Sequence, residues 1–179
     1  MFLVSHSKDK KKKADAFMLK FDSYSIVFSE IPDEITLAFS ITNCQNHCIG
    51  CHSPFLREDR GTPLLKNLNQ IVSQYKDHVT CVLFLGNGDD YDEIELASKL
   101  IKNNFELKTA LYTGDDPYIH ETKYLDYLKT GEYIEEFGGL NCCTTNQHLF
   151  KMKNGEKVED ITFKMYDSFQ KRSEDLSTE

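Results

Sequence analysis

An α/β fold with a mostly parallel sheet is the architecture this chain predicts, on three observations. Short apolar runs rich in β-branched and aromatic residues recur at Ile35–Ile41, Val79–Leu85 and Leu107–Tyr112. The segments between them carry apolar residues at helical spacing. Glycine, proline or asparagine marks most of the junctions. Strands alternating with helices pair in parallel through right-handed crossovers. The 179 residues suffice for one domain with a sizeable core.

Taken in order, Lys8 and Lys10 to Lys13 form a dense basic run in a polar leader, residues 1–16, which the self-repulsion of its charges is expected to keep disordered. The folded body is expected over 17–168, with a frayed polar tail over 169–179. Phe21 to Phe28 reads as a strand or extended lead-in, and Ile35–Ile41 as the first clear strand. After a turn at Gly61-Thr62-Pro63, Leu64, Leu65, Leu68, Ile71, Val72 and Tyr75 follow helical spacing, with a stop near Asp77. Val79–Leu85 is apolar enough for a buried strand and ends at Gly86-Asn87-Gly88. Asp89 to Asn104 predicts a helix with Ile94, Leu96, Leu100 and Ile101 on one face and acids in its first turn, where the dipole favours them. Tyr124–Leu128 is a weaker fourth strand. Leu149–Met152 and Ile161–Tyr166 suggest a terminal hairpin pair around Asn154-Gly155, a strong turn dipeptide.

Composition narrows the function classes. Apolar residues make up 40% and charged residues 28%, an ordinary globular balance. No apolar run approaches the ~20 residues of a membrane helix, and Phe2-Leu3-Val4 is too short for a signal-peptide core, so a cytoplasmic protein without membrane contact is expected. A net charge of −8 argues against a general nucleic-acid binder. Without a secretory signal, the six cysteines read as metal or cluster ligands before disulfides.

The cysteines carry the sharpest signal. Cys44, Cys48 and Cys51 stand in a CxxxCxxC spacing within eight residues, directly after the first clear strand. Their i, i+4, i+7 spacing would also align them on one helix face, but Asn43, Asn46, Gly50 and Pro54 give the stretch a loop composition. Three local thiolates hold three corners of an iron–sulfur cube and leave one iron open. Zinc is the rival, with His47 or the distant Cys142 and Cys143 as further ligands.

This motif resembles that of the radical SAM superfamily. Cys51-His52-Ser53-Pro54-Phe55-Leu56, together with 131-GEYIEEFGGL-140 ahead of Thr144-Thr145-Asn146-Gln147, resembles the activating proteins of anaerobic ribonucleoside-triphosphate reductases. The likeness runs from about Tyr24 to Tyr166. It implies a shortened open (β/α) barrel of the radical SAM type. It also implies a [4Fe–4S] cluster on Cys44, Cys48 and Cys51 whose open iron chelates S-adenosyl-L-methionine. Reductive cleavage of that cofactor generates a radical, and the reductase's glycyl radical subunit is the partner. A one-electron donor such as a flavodoxin or ferredoxin is implied as well, and no catalytic acid or base is needed. For the cofactor, Gly50 and His52 flank the third cysteine. Gly86-Asn87-Gly88 stands where the family has a glycine pair, the first glycine matching and Asn87 departing. Tyr112-Thr113-Gly114 matches a segment near the cofactor. Asn146-Gln147 matches a family pair that serves contact or structure. Other radical SAM reactions on a peptide or small molecule, and a zinc-stabilised binding module, stay open. Cys142 and Cys143 fall outside the family pattern, as exposed bystanders or redox-sensitive thiols. Cys81 reads as a small buried hydrophobe, and His6, His78, His120 and His148 join no constellation.

Overall fold

The computed structural model describes residues 18–117 and 122–166. The Lys-rich leader and the polar tail lie outside the described residues. Eight strands form one sheet: β1 (Lys20–Val27), β2 (Thr36–Ile41), β3 (Thr62–Pro63), β4 (Cys81–Leu85), β5 (Lys108–Tyr112), β6 (Tyr127–Thr130), β7 (His148–Lys153) and β8 (Glu156–Asp160). Their order is β3-β1-β2-β4-β5-β6-β7-β8. Two helices, α1 (Leu64–Tyr75) and α2 (Tyr91–Phe105), fill the crossovers into β4 and β5.

The open (β/α) barrel and mostly parallel sheet expected above do not form. The sheet is mixed, and four of its seven pairings are antiparallel: β1–β2, β1–β3, β6–β7 and β7–β8. Only β2–β4, β4–β5 and β5–β6 are parallel. A parallel return needs a crossover that buries a helix against the sheet. The chain supplies that twice and then changes habit. Among the described residues no helix joins β5 to β6, and from β6 onward the strands reverse direction in a meander. The Asn154-Gly155 turn closes β7 onto β8, with both residues at positive φ. The expected strand at Ile161–Tyr166 is absent. Glu156–Asp160 pairs instead, and 162–166 run helical.

Alternate residues of the parallel strands feed two cores, which is why their sequences are apolar almost without break. Leu37, Phe39, Ile41, Val82, Phe84, Leu111 and Leu128 face the helices, against Leu64, Leu68, Val72, Ile94, Ala97 and Ile101. Phe39 centres that face, with Phe21 edge-on at 5.2 Å and Phe84 tilted at 6.3 Å. Ala38, Cys81, Leu83, Ala110 and Tyr127 face the other way and are covered by Ile31, Leu140, Ile161 and Met165. One face therefore carries helices, and the other is closed largely by loops and the short segment at 162–166. In α2 the buried stripe is Ile94, Ala97, Ser98 and Ile101, so Leu96, expected to face the core, points to solvent. Asp90 caps this helix, accepting from the Glu93 N–H at 2.9 Å.

The amino ends of the parallel strands are stapled by one carboxylate. Glu34 accepts from Lys108 Nζ and, at 2.7 Å, from the Tyr127 hydroxyl. Burial pushes its carboxyl up, but hydrogen bonds from Lys108, Thr80 and Tyr127 more than offset this and hold it below the ordinary range.

Candidate functional site

β2, β4, β5 and β6 run in parallel and end at one edge, at Ile41, Leu85, Tyr112 and Thr130. The loops that follow them collect there, the edge where α/β sheets bind ligands. The cysteine loop leaves β2 through Asn43, which adopts a left-handed φ of 63°. Its base is closed by Asn43 N–H on Glu58 O at 3.2 Å and Cys44 N–H on Leu56 O at 3.0 Å. The Thr42 hydroxyl donates to Arg60 O at 2.7 Å. At the tip, Cys51 N–H turns back onto Cys48 O, and Gly50 holds a φ of 75° that a side chain would resist.

Cys44, Cys48 and Cys51 are all half-buried and free of disulfides. Burial pushes the Cys44 thiol up, a hydrogen bond to Asn46 O draws it back, and the neighbouring Cys48, Cys51 and Asp115 push it up further. Among the described residues no three His, Cys, Asp or Glu side chains converge closely enough to grip a single metal ion. The donor set nevertheless fits a thiolate-bound cluster. It offers three soft sulfurs that form no disulfide, of which Cys44 Sγ donates to Asn46 O at 3.8 Å and Cys51 Sγ accepts from the Ser53 N–H at 3.4 Å. Arg57 adds a second mark: Nη2 donates to Cys48 O at 3.0 Å, while its buried Nε has no hydrogen-bond partner. Cluster and thiolate sulfurs accept donors of that kind.

Beside the loop lies a cavity of about 600 Å³, within the ~300–1,000 Å³ of small-molecule sites. Cys51, His52 and Tyr112, all expected at the site, line it with Leu85, Lys129 and Tyr133. Tyr112 is held there by its hydroxyl, which donates to Glu30 O. The His52 ring lies 5.0 Å from that of Tyr133. A Cβ on Gly50 would stand 3.3 Å from both Tyr133 and Glu135, so the loop after β6 rests on the cysteine loop.

Of the other expected contacts, Gln147 lines this cavity and the rest do not. Gly86 and Gly88 support the cysteine loop from behind. A Cβ on Gly88 would come within 2.7 Å of Thr42 O, and Asn43 Nδ2 donates to Gly88 O at 3.4 Å. Asn87 is buried and accepts from the Thr113 hydroxyl at 3.5 Å, while Thr113 also meets Tyr91 Oη at 3.0 Å. Gly114 is the seat for Asn46, whose Nδ2 would stand 2.5 Å from a Cβ there. Thr144 to Gln147 bind backbone: Asn146 Nδ2 donates to Glu132 O at 3.0 Å and Thr144 Oγ1 to Phe137 O at 2.8 Å. Gln147 Nε2 reaches Gly131 O at 3.4 Å. Asn146 and Gln147 thus build the 131–139 loop.

Sequence reasoning missed Lys129. It is buried in β6, and burial holds its amine down to about 8. Its Nζ donates to Gly131 O at 2.6 Å. A lysine inside a short strand between Leu128 and Thr130 is the signal that would have found it. His148, expected to stand alone, pairs through Nδ1 with Asp160 at 2.9 Å. Cys81 is fully buried as expected, and burial raises its thiol.

No family model, curated protein or solved structure matches this chain. Among the described residues no helix is long and apolar enough to cross a membrane.

Proposed function

We propose that this chain is an S-adenosylmethionine-dependent activase that holds a [4Fe–4S] cluster on Cys44, Cys48 and Cys51 and generates a glycyl radical on an anaerobic ribonucleoside-triphosphate reductase in the cytoplasm. The observation that carries the reading is a CxxxCxxC loop, set on the carboxyl end of the first parallel strand, that opens through Cys51 and His52 onto a ligand-sized cavity. When bound, the cluster would pass one electron, drawn from a flavodoxin or ferredoxin, to the sulfonium, and carbon–sulfur cleavage would give methionine and a 5′-deoxyadenosyl radical.

The chain's own residues supply the setting. Lys129 offers a buried cationic donor for the cofactor's carboxylate. Leu85, Leu140 and Met165 give the cavity an apolar wall that excludes water. Gly50 keeps the loop close under Tyr133. At the loop tip Ile49 is 83% exposed, an apolar contact for a large partner.

Anaerobic reconstitution with iron and sulfide, then reduction and electron paramagnetic resonance with and without S-adenosylmethionine, tests the reading. The expected result is a cubane signal that changes shape with the cofactor and vanishes in Cys44→Ala, Cys48→Ala or Cys51→Ala. Adding the reductase should then yield a glycyl radical. Cofactor cleavage without that radical would redirect the reading to another radical reaction. A tightly bound zinc and no cluster would leave a metal-stabilised binding module.

A further inference from the structure

A second cavity, of about 410 Å³, is lined in part by the end of the 131–147 loop. Cys142 and Cys143 line it together with His148 and Asp160. Leu140 and Gln147 line both this cavity and the one beside Cys51, so the two share these residues as a wall. Cys143 is exposed and Cys142 half-buried, and both are free thiols. Cys142 is seated in a notch that only glycine leaves open, its Sγ 2.5 Å from where a Cβ on Gly138 would stand. Its N–H donates to Gly139 O at 2.9 Å. Burial alone would raise the Asp160 carboxyl, but hydrogen bonds from Thr162 and His148 bring it below the ordinary range. An ionised carboxylate on Nδ1 leaves the other imidazole nitrogen to take a proton.

We propose that Cys142 and Cys143 form a thiol–disulfide exchange site for low-molecular-weight disulfides, and that closing their vicinal disulfide shifts the wall shared with the cavity beside Cys51. In the first step His148 takes the proton of the Cys143 thiol, and the thiolate attacks a disulfide RS–SR. A mixed disulfide forms and RS⁻ leaves, taking a proton to become RSH. The Cys142 sulfur then attacks that of Cys143, and the second RSH leaves. Two protein thiols are oxidised by two electrons and one disulfide becomes two thiols. Adjacent Cα atoms stand ~3.8 Å apart, less than the ~4.4–6.8 Å of ordinary disulfides. The ring is therefore strained and readily reduced, the behaviour of a reversible switch rather than a structural link. Closing it draws Cys142 out of the Gly138 notch and loosens the loop whose other end meets Gly50 and His52.

The site stands independently of the cluster, and trypsin separates the two. Thr130–Lys151 contains Cys142 and Cys143 alone, while Phe21–Arg57 contains Cys44, Cys48 and Cys51. The full chain is treated with oxidised glutathione and mapped by mass spectrometry, with hydrogen exchange followed in parallel. Peptide 130–151 should pass from a glutathione adduct to a species lacking two hydrogens, both reversed by dithiothreitol. Cys143→Ser, an exposed change that leaves the fold intact, should abolish the adduct, and His148→Gln should slow it by at least about tenfold. Amides of 131–139 should exchange faster once the ring closes. A peptide that stays reduced, a stable adduct without ring closure, or unchanged exchange after closure would each overturn the proposal.

Discussion

The two ends of the parallel strands are built on opposite terms. At the amino ends Glu34 binds Lys108 and Tyr127 at once, and its charge is fully used. The neutral Thr36 hydroxyl is the buried group without a partner there. At the carboxyl ends the Cys44 thiol is pushed up by burial and by its neighbours, the Lys129 amine sits buried against carbonyls, and among the described residues Arg57 Nε and Asn146 Oδ1 have no hydrogen-bond partner. Unsatisfied buried groups cost stability. They collect at the carboxyl ends, while the amino ends hold the strands in register.

The sharpest way to break this contrast is to exchange one charge at each end. Lys129→Met removes a buried amine that folding holds down to about 8. In the wild type the unfolded chain keeps that proton up to its ordinary value near 10.5, so stability should rise as pH climbs from about 8 to 10.5. The variant should flatten that rise and gain up to about 3 kcal/mol at pH 7, read by urea melts at both pH values, while losing cofactor binding. A loss of stability at pH 7 would refute the contrast. Glu34→Gln should move the other way, costing ~1–3 kcal/mol through the hydrogen bonds it weakens. Because the folded carboxyl lies below its ordinary value, its contribution is complete above pH ~4.3 and fades as pH falls through the folded value. The difference between variant and wild type should therefore shrink in acid.

The sequence disclosed the first half of the molecule better than the second, for a physical reason. From Thr36 to Tyr112 local pattern and tertiary role agree: apolar runs are buried parallel strands, and the spacing of Leu64, Leu68 and Val72 is the helix seam. After Tyr112 the strands are short and half polar, and the loops between them owe their shape to side chains binding distant backbone, as Asn146 binds Glu132. No local periodicity reports such bonds, so the Asn154-Gly155 turn is legible but the antiparallel run from β6 onward and the strand at Glu156–Asp160 are not. The cysteine loop was legible because its three cysteines fall within eight residues of sequence. Lys129 and Tyr133, brought to it by the sheet, were not.

Two substitutions at the carboxyl end should change stability least and sharpen the comparison most. Asn146→Ala removes one bond to Glu132 O and one buried oxygen that has no partner, so a cost of ~1 kcal/mol is expected. Faster amide exchange should be confined to 131–139, where Tyr133 and Glu135 meet the cysteine loop, and uniform loosening would deny that this segment is a separate unit. Cys48→Ala should do less still. Cys48 is half-buried, belongs to neither core and holds Arg57 only through its carbonyl, which alanine keeps. A change within about 0.5 kcal/mol follows, together with a lower Cys44 pKa, because one neighbouring negative charge is gone. Thiol titration followed at Cys44 checks the second point without any cluster present. If instead Cys48→Ala unfolded the chain, the three cysteines would be packing residues, and the division of the molecule into a stapled end and an end of unsatisfied groups would fail at its most exposed point.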